Sequence, residues 1–176
     1  MSLRAAWSAS PMPALIVPAA LGAELAAAMR AELERVTYTR CALLDRGSYD
    51  YVDAPKLAAL DVLAGVATEV TGRPLAVAAS RVLRLRPGDY LLTRHDRVHD
   101  DRPIELALDL SAAPVAGAEV HWRHRGQVYF TMPTVPGTLA IVERGPTVMC
   151  NHTYVSKRWA NASVVRLMVL LRPEHG

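Results

Sequence analysis

Arg166 lies inside Val164-Val165-Arg166-Leu167-Met168-Val169-Leu170-Leu171, a run apolar at every other position, which reads as a strand covered on both faces. A guanidinium there points into the protein interior, where a charge without a partner is very costly. It needs an anion, and two sources stand open: an aspartate or glutamate of the chain itself, or a carboxylate carried by a ligand. His152 lies fourteen residues earlier on the preceding expected strand, where Cys150, His152 and Tyr154 share one face because strand side chains alternate. An imidazole at such a position is either a hydrogen-bonded core residue or a metal ligand.

A third concentration of reactive side chains is Thr93-Arg94-His95-Asp96-Arg97-Val98-His99-Asp100-Asp101, rich in imidazole and carboxylate. Two readings apply to it, a solvated charged turn or one part of a metal site. A smaller group, Val120-His121-Trp122-Arg123-His124, sends His121 and Trp122 to opposite faces of a strand, so that one of them can line an interior; His124 reads as an exposed strand end.

The elements that must position these residues follow from periodicity. Ala14 to Val17 predicts a short strand. Leu21 to Val36 predicts a helix, with Leu21, Leu25, Met29 and Leu33 along one face. After a turn-rich stretch around Arg46-Gly47-Ser48, a second helix is expected from Pro55 to Val70, ending near Gly72 and Pro74. From Leu75 onward the pattern changes to short β-rich runs divided by Pro and Gly. The expected strands are 75–85, 90–94, 104–110, 118–123, 127–132, 139–143, 148–155 and 163–171. Two helices followed by many short strands predict an α+β fold: a jelly-roll barrel of two facing antiparallel sheets, with the helices packed on one of them.

Composition bounds the function. The 176 residues suit one domain, with helical support over about 14–72 and a barrel over about 75–171, and 51% hydrophobic content supplies a single core. The net charge of +3 arises from 20 basic and 17 acidic residues scattered without a basic run, so nucleic acid is not the expected partner. Met1 to Ala20 carries Arg4, Trp7 and three prolines and reads as no signal peptide. No stretch reaches the roughly 18 apolar residues of a membrane span. Two cysteines, Cys41 and Cys150, make no disulfide framework, and a reducing cytoplasm is expected. The sequon matches at Asn151 and Asn161 carry no weight without a secretory signal.

Four pieces in order resemble the prolyl-hydroxylase-like branch of the iron(II)/2-oxoglutarate oxygenases. Arg86-Pro87-Gly88-Asp89-Tyr90-Leu91-Leu92 is similar to the family's turn and strand leading to its first metal motif, with His95 and Asp96 following. Ile104 to Ser111 resembles the next strand. Pro136-Gly137-Thr138-Leu139-Ala140-Ile141-Val142 is similar to the P-x-G-x-L turn and strand, lacking the residue between Pro and Gly. His152 and Arg166 match the distal histidine and the basic residue that binds the cosubstrate's far carboxylate.

The resemblance implies a double-stranded β-helix, a cupin-like barrel, holding Fe(II) and the cosubstrate 2-oxoglutarate. Two histidines and one carboxylate on one face of the iron leave positions for a 2-oxo acid and dioxygen, while an arginine fork fixes the other carboxylate. The implied ligands are His95, Asp96 and His152, with Arg166 as cosubstrate anchor. The first motif departs from the family's H-x-D. Counting from Gly88 puts Arg94 at the histidine position and Asp96 at the aspartate, whereas a shift by one aligns His95 and leaves Arg97 at the carboxylate position. A bulge that lets both His95 and Asp96 approach the metal is the first reading. The literal His99-Asp100-Asp101 is the second.

The implied activity is oxidative decarboxylation of 2-oxoglutarate to succinate coupled to hydroxylation of a C–H bond in an amino-acid, peptidyl or small-molecule substrate. The alternative is a degenerate barrel that binds a small acid or a partner protein without turnover. A cupin-like metal hydrolase or isomerase shares the barrel but leaves the arginine unexplained.

Overall fold

The computed structural model describes residues 2–92, 101 and 103–174. Three helices precede most of the sheet: α1 (Leu3–Ala9), α2 (Ala23–Glu34) and α3 (Leu60–Thr71). The eleven strands among the described residues are β1 (Ala14–Val17), β2 (Thr39–Leu43), β3 (Gly47–Asp53), β4 (Leu75–Leu85), β5 (Tyr90–Leu91), β6 (Ile104–Asp109), β7 (Val120–His124), β8 (Gln127–Met132), β9 (Leu139–Glu143), β10 (Val148–His152) and β11 (Val164–Pro173).

The helices form where apolar residues recur at helical spacing. Ala26, Met29 and Leu33 are the buried face of α2, and Leu63, Ala64, Ala67 and Val70 that of α3. The second helix begins at Leu60 rather than Pro55, because the chain first makes a turn in which the Leu60 N–H donates to the Leu57 carbonyl (3.2 Å). It ends at Gly72, whose φ of 70° is the left-handed conformation that glycine adopts without a Cβ penalty. A Cβ there would also meet the Arg4 guanidinium, the movable end of a long side chain, so the backbone conformation is the stronger reason for glycine. The short helix α1, capped by the Ser2 hydroxyl and buried through Trp7, was not expected from the sequence.

Every pairing in the sheet is antiparallel, in the order β1-β9-β6-β11-β4-β3-β5-β10-β7-β8, with β2 added to β3. The expected two facing sheets are thus joined by hydrogen bonds into one sheet that rolls on itself. Its edge strands β1 and β8 meet in one core cluster, where Ala14, Ile16, Tyr129 and Phe130 surround Trp122 and Val142. The β2–β3 hairpin flanks the turn-rich stretch around Arg46-Gly47-Ser48, where no strand was expected. Its exposed outer strand and its aspartates hide the alternation that marks a strand.

The core lies on both sides of the central strands. Ile104, Leu106 and Leu108 of β6 and Leu167, Val169 and Leu171 of β11 pack with Trp7, Met29 and Leu63 of the helices. The opposite face of the same strands, with Ala107 and Met168, looks into the barrel. Alternation therefore turns Glu105 and Asp109 of β6 and Arg166 of β11 inward. No helix among the described residues is long and apolar enough to cross a membrane.

Candidate functional site

Arg166 is fully buried. Strand pairing sets its neighbours: β11 lies beside β6 with Arg166 directly opposite Asp109, while the rolled sheet brings the start of β7 and the end of β10 across the barrel. Nη1 of Arg166 contacts Nδ1 of His152 at 3.0 Å. Nη2 donates to Thr134 Oγ1 at 2.5 Å and to the Ala118 carbonyl. The Thr134 hydroxyl donates in turn to the same carbonyl. Nε lies 3.8 Å from Asp109 Oδ2, too far for a hydrogen bond, and neither atom has another partner among the described residues.

Burial dominates the electrostatics of this group. It lowers the Arg166 pKa to about 10, against the raising effect of Asp109. It raises the Asp109 carboxyl above its ordinary range, against the lowering effects of Arg166 and of the Ser111 N–H, which donates to Asp109 Oδ1 at 2.9 Å. Each shift favours the neutral form, so the two groups compensate one another incompletely.

His152 is buried at the end of β10, paired with Leu91 of β5 and Val120 of β7. A second network holds β5 beside it. The carboxylate of Asp89, in the turn before β5, accepts from Arg40 (2.6 and 2.7 Å), from Ser48 (2.6 Å) and from the Arg86 N–H (2.9 Å). Asp50 accepts from Arg40, Arg84 and Arg86. Burial opposes ionisation of both carboxyls, but these donors outweigh it and hold both below the ordinary range. The Gly88 N–H donates to Val155 O (2.8 Å) and the Val155 N–H to Asp89 O (2.9 Å), tying the turn to the chain just after His152.

Further along the barrel, Trp122 Nε1 donates to Glu105 Oε2 at 3.1 Å, and Arg144 lies 3.8 Å from the same oxygen. The β7–β8 register steps from Trp122–Phe130 to Arg123–Val128, leaving Tyr129 as the extra residue of a bulge. Burial, with Glu105 and Cys150 adding to it, raises the Tyr129 hydroxyl to about 12. It is Trp122 rather than His121 that faces inward; His121 contacts Glu119 near the surface at 2.8 Å.

Of the residues expected from the sequence, Arg166 and His152 are in contact. His95 and Asp96, and His99 and Asp100 of the second reading, lie outside the described residues; Asp101 sits in an exposed turn. Among the described residues, no three His, Cys, Asp or Glu side chains come together as a metal site. Sequence reasoning missed Asp109, Thr134 and the Ala118 carbonyl. Asp109 had a signal of its own, a charge within the apolar run Ile104 to Leu110; Thr134 sits in the loop between β8 and β9, where threonine is ordinary.

No protein-family profile matches the chain, and no curated protein matches it in sequence. Solved structures do. The prolyl-4-hydroxylase of Pseudomonas putida superposes with a TM-score of 0.70 at 15% identity, over 98% of this chain and 99% of that one. A 2OG-Fe(II) oxygenase family oxidoreductase of Burkholderia pseudomallei gives 0.73 at 13% identity, over 99% and 91%. The non-heme alpha ketoglutarate dependent epimerase SnoN from nogalamycin biosynthesis gives 0.72 at 16% identity, over 97% and 82%. The rolled sheet, its helical support and these superpositions identify the fold of the chain as the double-stranded β-helix of the iron(II)/2-oxoglutarate oxygenases, prolyl hydroxylases among them.

Proposed function

We propose that the chain is an iron(II)- and 2-oxoglutarate-dependent oxygenase that hydroxylates a C–H bond of an amino-acid, peptidyl or small-molecule substrate. The observation that carries this reading is a fully buried arginine inside the barrel, in contact with a buried histidine and short of a complete anionic partner. Both cofactors fit these residues. The unpaired Nε of Arg166 suits a carboxylate, and the imidazole of His152 suits a divalent metal. The remaining ligands in this reading are His95 and Asp96, with Asp101 the alternative carboxylate.

When bound, Fe(II) and 2-oxoglutarate supply dioxygen activation, with succinate and carbon dioxide as coproducts. The chain's own part is positional. Arg166 holds the distal carboxylate, Thr134 and the Ala118 carbonyl orient its guanidinium, and the apolar walls around Met168 and Trp122 keep water from the reacting groups. The test is an anaerobic Fe(II) titration followed by 2-oxoglutarate and dioxygen. Bound iron and released succinate support the reading, and absence of both overturns it.

A second reading has its own observation. Arg166 already contacts His152 and lies opposite Asp109, an arrangement that suits a barrel binding a small acid without turnover. Carboxylate binding in the absence of any metal binding would select it.

A further inference from the structure

Besides the barrel interior, the fold leaves a recess on the helix side of the sheet. Near the end of α2, Leu33 of the helix and Leu110 and Val165 of the sheet border a cleft of about 140 Å³. The Leu110 N–H donates to the Val165 carbonyl at 2.8 Å, which holds these two floor residues side by side. Both pack with the helices, whereas their chain neighbours Asp109 and Arg166 turn to the other face, so the cleft is separate from the barrel. A space of about 150 Å³ is enough for a benzene ring, and this one suits an apolar group of similar size.

The rim is polar and carries both signs of charge. Arg30 and Glu34 of α2 border the cleft one helical turn apart, a spacing at which opposite charges are neighbours. Neither forms an ion pair or a hydrogen bond among the described residues. Tyr38 lines the cleft as well, and its hydroxyl has no hydrogen-bond partner among the described residues. Burial raises its pKa, so it remains a neutral donor. Arg84 is already engaged: Nε and Nη2 reach Asp50 Oδ2 at 2.9 and 2.8 Å, and its guanidinium lies 3.9 Å from the centre of the Tyr38 ring. That stack fixes the ring and leaves Arg30 as the cation open to a ligand.

We propose that this cleft binds a free α-amino acid with an apolar side chain, its carboxylate on Arg30 and the Tyr38 hydroxyl, its ammonium on Glu34 and its side chain on Leu33, Leu110 and Val165. An open cation and an open carboxylate beside one apolar floor match a zwitterion with an apolar tail. A simple carboxylate meets the like charge of Glu34, and a simple amine that of Arg30, so each is disfavoured. The proposal stands apart from the oxygenase reading, since none of these residues faces the barrel.

The experiment titrates the full chain with L-leucine and L-phenylalanine as probes, followed by calorimetry and by 1H–15N spectra of the backbone amides. Shifts should concentrate at the end of α2 and in residues 110–112 and 163–165. A dissociation constant on the order of 1 mM is expected for leucine, a ligand of about nine non-hydrogen atoms. Arg30→Met and Glu34→Gln should each weaken binding about tenfold. Ala112→Phe, which fills the cleft from an exposed position, should abolish it. Arg35→Met changes a charge at the same helix end without bordering the cleft and should bind as the wild type does. 4-Methylpentanoate and 3-methylbutylamine, which carry the leucine tail with one charge each, should bind about tenfold more weakly than leucine.

Binding of neither amino acid, binding of a singly charged analogue as tight as that of leucine, shifts only at residues inside the barrel, or affinity unchanged by Arg30→Met and Ala112→Phe overturns the proposal. None of these outcomes bears on iron binding or succinate release, which test the oxygenase reading separately.

Discussion

Arg166 and Asp109 face each other across β11 and β6 with Nε and Oδ2 3.8 Å apart, a buried pair of opposite charge that stops short of a hydrogen bond. Burial pushes both toward neutrality, the arginine down to about 10 and the aspartic acid up from its ordinary range. Such a pair compensates the buried cation in part and leaves a donor for an incoming carboxylate.

Asp109→Asn should therefore destabilise the anion-free protein by about 2 kcal/mol, below the 3–5 kcal/mol of a fully engaged buried pair. Part of that loss should return when glutarate is added, because the ligand's carboxylate takes over as counterion. Differential scanning fluorimetry with and without glutarate checks this. A smaller ligand-induced shift in the variant than in the wild type would contradict it.

Thr134→Val removes one of the two acceptors of Arg166 Nη2 and one of the two donors to the Ala118 carbonyl. A loss of about 1–3 kcal/mol is expected from the two lost buried hydrogen bonds, one of them to a charged group. The apparent KM for 2-oxoglutarate should rise about tenfold or more, since one lost charge-assisted hydrogen bond corresponds to roughly that factor. Thr134→Ser keeps both bonds and should behave as wild type in chemical denaturation and in steady-state kinetics.

The inward direction of Arg166 was legible in the sequence because an arginine in an apolar strand has only the interior to point to, whereas strand alternation left the face of His152 open and only the family resemblance put it beside Arg166. Asp109 and Thr134 were not legible, since their proximity to Arg166 depends on the β6–β11 register and on the roll of the sheet. Most strands were placed to within a few residues, including Leu75–Leu85, Gln127–Met132 and Leu139–Glu143 at their observed bounds. The β2–β3 hairpin was hidden because its stability comes from long-range pairing, Asp50 with Arg84 and Arg86 and Asp89 with Arg40, rather than from local propensity. The expected ligands His95 and Asp96 lie outside the described residues.

Asp50→Asn should destabilise the protein by about 2 kcal/mol at neutral pH, a discounted figure because Arg84 and Arg86 are 30% and 56% exposed. The pH dependence has a definite sign. The folded-state pKa of Asp50 lies below the ordinary 3.8, so its contribution is complete above that value and is lost as pH falls through the depressed one. Urea denaturation of wild type and variant should show a constant difference at pH 7 and pH 5 that shrinks below about pH 4. A difference that grows on acidification would contradict the assignment.

The two readings of the first metal motif separate by substitution. With His95 and Asp96 as ligands, His95→Ala should abolish iron binding and 2-oxoglutarate turnover, and His99→Ala should spare both. Loss in His99→Ala with retention in His95→Ala moves the site to His99 and Asp101.

The measurement that bears most directly on the oxygenase reading is anaerobic Fe(II) titration of the wild type, His152→Ala and Arg166→Met, followed by succinate release on admitting dioxygen with 2-oxoglutarate. The wild type should bind one Fe(II) and release succinate, His152→Ala should lose both, and Arg166→Met should keep the metal and lose most of the succinate release. A wild type that binds no Fe(II), or a His152→Ala variant that binds it as well as the wild type does, would contradict the oxygenase reading.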